Sequence, residues 1–510
     1  MNPIRAGIFA IAALSALAAA RGAPVDDAGP NPALEQERAA LVSALKTARG
    51  GNADIAALTA TMHDIIADPN FFRLSDAERH RAFLLYGACL FDSKKHEEAS
   101  NPLKIASEMA AAGAADWDLR LENDFAQGDN VDAARAMTRL ARSWPEKIAD
   151  YEDRAVFQVA YAVQNAGADP KIGEDLLTAL FDMHWKPKKS FNLPDGLWSK
   201  LMQIRLDRGD SAGAAKIAAE IRDPDVMIQM RADRRFDAIV QAAPAQFDVM
   251  HAYAEELARL KAASAAAPDK LEGVIAVASI LHRLKRPREG LALLDEALDK
   301  LQAKKDAFSD ADEKRNWLFD ERSRLLFQLG RDDEAVAVLA KGAALPENGT
   351  INVSQAINLA EAYNTVGQAK EALAAVAGID APMVSPYGRV AALNARACAY
   401  YTLGEQDQLA KVLDELKLHK DDGPGPYLSA MLCTGNEQAA AAQVIAQLND
   451  PETRLGMLFL VQTYDPDPHP TKRARQTHAL WLSLLERSDV AAAIAAVGRI
   501  ESYAIFSPSY

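Results

Sequence analysis

The sequence predicts an all-α fold, a solenoid of stacked antiparallel helix pairs, and three observations predict it. Three segments superpose at a fixed period: Leu326 to Leu339, Tyr363 to Val376 and Tyr400 to Leu413, with Ala335, Ala372 and Leu409 each 37 residues apart. A period of that length marks a repeat architecture. Alanine is abundant while aromatic residues make up only 7%, which suits helices packed at close range and suits strands poorly. No alternating apolar pattern of the strand type competes with the helical one.

Each repeated position has a physical reading. A large residue on a first helix is followed four positions later by glycine, five later by a small residue and four later again by an apolar one: Leu326, Gly330, Ala335, Leu339, and then Tyr363, Gly367, Ala372, Val376. Glycine ends the first helix because it tolerates a left-handed backbone, and the small residue lets the two helices approach. In this spacing the chain resembles the tetratricopeptide repeat, most strongly from Asn316 to Leu416. The resemblance implies a right-handed superhelix whose first helices line a concave groove that takes a protein or peptide. Carried over by register, the groove residues are Trp317, Asp320, Arg324 and Gln328, then Glu361, Asn364 and Thr365, then Asn394, Cys398 and Tyr401. They do not reproduce the lysine and asparagine pattern with which some family members clamp a C-terminal carboxylate, so that ligand is not inherited.

Weaker copies run through Leu90, Ala99 and Leu103, through Leu121, Gly128 and Ala134, through Trp198, Leu201 and Ala214, through Leu281, Gly290 and Leu294, and through Met431, Gly435 and Ala440. Arg322 and Arg396 stand where the family usually has leucine. Residues 150–198 and 221–270 give no clean unit. The expected organisation is a signal peptide over 1–23, a flexible linker over 24–32, helical repeats over 33–185, a loop over 186–197, middle repeats over 198–300, the strongest repeats over 301–464 and capping helices over 465–510. Asp465-Pro-Asp-Pro-His-Pro470 cannot be helix and marks a boundary.

The ends and the charge narrow the functional classes. A charged start, an apolar run from Ala6 to Ala20 and small residues at its end read as a secretory leader, so an exported, periplasmic protein of a bacterial envelope is expected, with no membrane span in the mature chain. The formal net charge of −14 disfavours attraction to nucleic acid or an anionic membrane. Cys89, Cys398 and Cys433 are too scattered for a disulfide scaffold or a zinc site. The last two fall on neighbouring repeats, where either a bridge or two buried thiols fits.

No cofactor is expected, since the chain has no nucleophile elbow, phosphate loop or dinucleotide fingerprint. His96-Glu97-Glu98-Ala99-Ser100 begins like a zinc-protease helix and ends in serine, so His96 is read as lying on an exposed turn. Glu501-Ser502 matches a dipeptide of lytic transglycosylases, yet too little chain follows for a sugar-binding fold, and Glu501 is read as a helix-end acid. The basic runs 231–235 and 472–475 are read as solvated faces. One loop, His184 to Trp198, is basic and aromatic in an acidic chain. Trp185, Lys186, Lys188, Lys189 and Phe191 could form an alternative contact site, or its aromatics could tuck under neighbouring helices. The preferred function is a non-catalytic scaffold or adaptor in the envelope. An accessory role in outer-membrane assembly, secretion or polysaccharide export, a carbohydrate or cell-wall binder, and an enzyme without a known motif stand as alternatives.

Overall fold

The computed structural model describes residues 32–50, 53–165, 167, 169–188, 190–347, 349–379 and 384–507. The expected leader and nearly all of the linker lie outside these residues. The chain divides into two compact units, Met1–Ile217 and Ala218–Tyr510. The first contains α1 (Pro32–Arg49), α2 (Ile55–Ala67), α3 (Asp76–Asp92), α4 (His96–Glu108), α5 (Ala114–Gln127), α6 (Asn130–Ser143), α7 (Pro145–Ile148), α8 (Asp153–Asn165), α9 (Pro170–Asp182) and α10 (Asp195–Asp207), with α11 (Ser211–Ala218) at the boundary.

The second unit holds α12 (Pro224–Ala232), α13 (Asp237–Ala242), α14 (Val249–Ala266), α15 (Leu271–Arg283), α16 (Pro287–Ala303), α17 (Ala311–Gln328), α18 (Asp332–Ala343), α19 (Val353–Thr365), α20 (Ala369–Ala375), α21 (Pro386–Leu403), α22 (Gln406–Leu418), α23 (Pro424–Cys433), α24 (Glu437–Asn449) and α25 (Arg454–Leu460). After these come β1 (Thr463–Asp465), α26 (Lys472–Glu486), α27 (Ser488–Val497) and β2 (Ser502–Phe506). Each unit is built of stacked antiparallel helix pairs. The stretches that gave no clean repeat in the sequence are helical as well.

The repeated spacing has one structural cause. At the end of each first helix a backbone N–H reaches the carbonyl five residues back, and that carbonyl belongs to the signature residue: Lys95 to Leu90, Arg286 to Leu281, Arg331 to Leu326, Gln368 to Tyr363, Glu405 to Tyr400 and Asn436 to Met431, all at 2.8–3.0 Å. This closure needs a left-handed residue just before the donor. Gly330, Gly367 and Gly404 supply it at φ 69°, 82° and 73°, while Lys94 and Lys285 do the same at 59° and 58°. The weaker copies at Leu90 and Leu281 are therefore genuine repeats in which lysine stands at the turn in place of glycine. The small position that follows is fully buried in Ala99, Ala134, Ala214, Ala335, Ala372 and Ala440.

Hairpins pack in series through unit 2. Each first helix touches its own second helix, each second helix from α16 to α20 touches the next first helix, and α15 touches α17, α19 touches α21 and α21 touches α23. The first helices thus form a continuous inner row. Arg322 and Arg396, which stand at positions where the resemblance implies leucine, are each hydrogen-bonded. The Arg322 Nε donates to Asp295 at 2.7 Å, and Arg396 donates to the carbonyls of Val376 and Ile379 at 3.0 and 2.9 Å. Cys398 and Cys433 form a disulfide that ties α21 to α23, and Cys89 is a buried free thiol.

The C-terminal segment departs from the expectation of capping helices throughout. After α27 the chain turns extended, and Ser502-Tyr-Ala-Ile-Phe506 buries Tyr503, Ile505 and Phe506 as β2. It pairs in parallel with β1, Thr463 opposite Ser502 and Tyr464 opposite Tyr503, a geometry that requires a long crossover, here made by α26 and α27. Glu501 is accordingly not a helix-end acid: it accepts from Arg231 Nε at 2.8 Å.

Unit 2 closes on itself through this segment. Its first helix, α12, packs against α25, near the far end of the series, and Ala232 joins the core of Met457, Leu458 and Val461. The Arg499 amide donates to the Ala232 carbonyl at 2.9 Å. Gly498 permits that approach, since a Cβ there would lie 2.4 Å from the Ala232 oxygen. The run 231–235 is therefore a junction and not a solvated face, with Asp233 fully buried beneath Arg235 and Arg234 donating to the Gly498 carbonyl at 3.3 Å.

Ala372, fully buried between Ala356, Ile357, Ala360 and Ala392, tests the repeat register. Ala372→Leu should destabilise unit 2 by about 1 to 3 kcal/mol through overpacking. Denaturant melts that coincide with the parent chain would show that this position is not the helix crossing.

Candidate functional site

The inner row places one polar cluster on three successive first helices. On α17, Trp317, Asp320 and Arg324 are three and four residues apart and so share a face. Arg324 Nε donates to Asp320 Oδ2 at 3.0 Å. From α19, Asn358 Nδ2 donates to the other Asp320 oxygen at 2.9 Å. From α21, Asn394 Nδ2 donates to Glu361 Oε1 at 3.2 Å. The predicted residues Asp320, Arg324, Glu361 and Asn394 thus meet in one cluster, with Trp317 at its edge, 41% exposed.

Electrostatics at this cluster follow from enclosure. Asp320 is buried, and burial raises its carboxyl above the ordinary range despite the attraction of Arg324. Glu361 is open to solvent but faces α17 and α21, and desolvation raises it to about 7 against the pull of Asn394 and Arg324. Tyr387, 58% exposed at the start of α21, is raised by burial and then by the Glu361 charge. The face therefore presents two carboxyl groups held reluctantly as anions, one guanidinium and exposed aromatic rings.

Other predicted groove residues point elsewhere. Gln328 is buried, with Nε2 donating to the His282 carbonyl at 3.3 Å. Asn364 is buried and donates to the Ala395 carbonyl at 2.8 Å. Thr365 turns its hydroxyl back to the Glu361 carbonyl at 2.9 Å. Cys398 is consumed by the disulfide. Tyr401 is 41% exposed, but the Arg473 guanidinium lies 5.3 Å from its ring centre, so it is a covered aromatic and not a free anchor.

Sequence reasoning missed Asn358 and Tyr387, although both were accessible to it. Asn358 stands three residues before Glu361, and Tyr387 seven before Asn394, which are same-face separations on a helix. Arg473 had no local signal, because its partners lie far away in the sequence.

The alternative contact loop is built differently from the expectation. Trp185 and Phe191 are buried, and Trp185 packs edge-on against Phe157 with ring centres 5.2 Å apart. The Asp153 carboxylate accepts the amides of Lys188 and Ser190 at 3.0 and 2.8 Å, which pins the loop. Lys186 and Lys188 are exposed, the latter donating to the Ala149 carbonyl at 3.0 Å; Lys189 lies outside the described residues. The aromatics therefore serve as core and are not contact anchors. His96 also leaves the expected exposed turn: it opens α4 with Nδ1 3.2 Å from Asn123 Oδ1.

Fold and face together define a protein of repeated helical hairpins. Comparison with known proteins adds low similarities. No protein-family model matches the chain, and no curated protein does. Among solved structures it is similar to the crystal structure of the APC/C hetero-tetramer Cut9-Hcn1, at 12% identity and TM-score 0.29, covering 90% of this chain and 89% of that one. It is also similar to Naa15/Naa10 bound to HypK-THB, at 14% identity and TM-score 0.23 over 91% and 72% of the two chains. A third is the P58(IPK) TPR domain, at 13% identity and TM-score 0.17 over 89% and 100%.

Glu361 offers a pH test of the cluster. A carboxyl that titrates near 7 when folded, above its ordinary 4.5, binds its proton more tightly in the folded state. Its contribution to stability is therefore lost as pH rises between those values. Glu361→Gln should gain on the parent chain between pH 5 and pH 8 in thermal melts. A difference in melting temperature that is flat across that range would show that Glu361 titrates as an ordinary surface acid.

Proposed function

We propose that this chain is a non-catalytic scaffold or adaptor that binds a protein or peptide along the first-helix face of unit 2. One observation carries the reading: three successive hairpins bring Trp317, Tyr387 and the Arg324, Asp320 and Glu361 cluster to one face, with both rings more than 40% exposed. Binding energy concentrates in aromatic and arginine side chains placed in this way. Neither ring is needed for the repeat's own packing, whereas the helix-crossing and turn positions are filled by other residues. An extended segment could touch all three hairpins, offering amides to the carboxylates and apolar or cationic groups to the rings.

We place this scaffold in the cell envelope. The leader-like first 20 residues support export, and the bond between Cys398 and Cys433 suits an oxidising compartment. Partners trapped by crosslinking on the exported protein supply the ligand for a direct test. Replacing Trp317, Arg324 and Tyr387 together by alanine should lower affinity for that partner by about 10-fold or more, as loss of central anchors does, with the helical signal retained. Undiminished affinity in a folded triple variant would remove the groove as the binding site.

A further inference from the structure

A second set of contacts lies at the turn end of the same first helices, and the repeat does not require it. Between β1 and α26 the chain runs through Pro466, Pro468 and Pro470, which keep it out of helix. Asp465 pairs with Lys285 at the turn after α15. His469 lies against Gly330 at the turn after α17, where a Cβ would come within 3.0 Å of the His469 Cβ. Arg473, in the first turn of α26, lies over Tyr401 of α21 and donates to the Cys433 carbonyl at the end of α23. Helix α26 also touches α19. One short segment thus reaches the ends of α15, α17, α21 and α23.

The segment's two ends are held by different chemistry. At its start Lys285 sets a cation on the Asp465 carboxylate, as Arg231 on Glu501, Arg499 on Asp237 and Arg283 on Asp225 do where the chain's last strand is anchored. Arg473 has no carboxylate partner among the described residues. A carbonyl and a phenol ring receive it, and burial lowers its affinity for the proton. A desolvated cation without a counter-charge is a poor permanent strut, and a contact of this kind can be given up.

We propose that residues 465–473 are an intramolecular occupant of a peptide-binding edge of unit 2, and that a partner engages this edge with an extended segment presenting an arginine to Tyr401. The inference rests on the peptide-binding reading above and names the chemistry of the ligand. The segment already seated there is proline-rich and non-helical as far as Thr471, and it places a guanidinium on the ring. The chain's net charge of −14 favours the approach of a cationic segment. Tethering keeps the resident segment at an effective concentration on the order of millimolar, so a micromolar competitor is excluded until the resident contact weakens.

The test uses the full chain and, as probe, a fluorescent synthetic peptide spanning residues 463–476. The His469→Ala, Arg473→Ala double variant should bind this peptide at least about 10-fold more tightly than the parent chain, as removal of a tethered competitor predicts. Adding Tyr401→Ala should abolish the gain, and so should a peptide with alanine in place of Arg473. Equal binding to parent and variant, including none to either, would overturn the proposal. A double variant that fails to fold, or that loses hydrogen-exchange protection in β2 and α12 as well, would make the segment a structural strut and overturn it too. The assay needs no natural partner. A flat peptide result with partner affinity lost on substituting Trp317, Arg324 and Tyr387 would leave the groove reading standing and remove only this one.

Discussion

Arg283 holds together the closure of unit 2. Its side chain, at the end of α15, donates to Asp225 of α12 at 3.0 Å, to the Tyr253 hydroxyl of α14 at 2.9 Å and to the Phe506 carbonyl of β2. The same guanidinium lies 5.6–5.8 Å from the ring centres of Tyr253, Phe459 and Tyr464. Residues from the first helices of the unit and from its last strand therefore converge on one charge. Stacking on rings contributes on the order of 0.5 to 2 kcal/mol per contact. The carboxylate matters more, because a buried cation stripped of its partner costs about 3 to 5 kcal/mol.

What closure adds is constraint on the face the hairpins present. Adjacent hairpins of a solenoid otherwise contact only their neighbours, and its curvature follows from small rotations that accumulate. Joining α12 to α25 removes that freedom within unit 2. The cluster of Asp320, Arg324, Glu361 and Asn394 is then held by helices whose spacing is fixed at both ends of the series. The Asp320 carboxyl, buried in this way, cannot move out to bulk water, which is why burial leads the causes of its shift. The disulfide between α21 and α23 acts in the same sense, locally.

Legibility in the sequence followed interaction range. Gly330, Ala335 and Leu339 disclose a hairpin because the bonds that make it span five residues, and those bonds repeat. Asp320 and Arg324, or Glu361 and Asn394, were legible as face-sharing positions once the register was known. Gln328 and Asn364 lie on the same helices, but their amides go to carbonyls of neighbouring helices, and helical period alone does not separate a groove residue from one at the flank. Glu501 and the run 231–235 were misread for a different reason. They satisfy each other across some 270 residues, and β2, five residues long, is too short to announce itself against a helical background. The aromatic loop shows the same limit, since Trp185 and Phe191 look like exposed anchors until Phe157 and Asp153 are brought beside them.

Hydrogen exchange on Arg283→Met bears most directly on closure as the organising constraint. The variant keeps the apolar stem and removes the charge that α12, α14 and β2 share. The account predicts that protection falls together in β2 (Ser502–Phe506) and α12 (Pro224–Ala232), while the hairpin of α17 and α18 keeps its protection, because that hairpin is held by local turn bonds and its own core. Loss confined to β2 with α12 still protected, or simultaneous loss in α17 and α18, would contradict it.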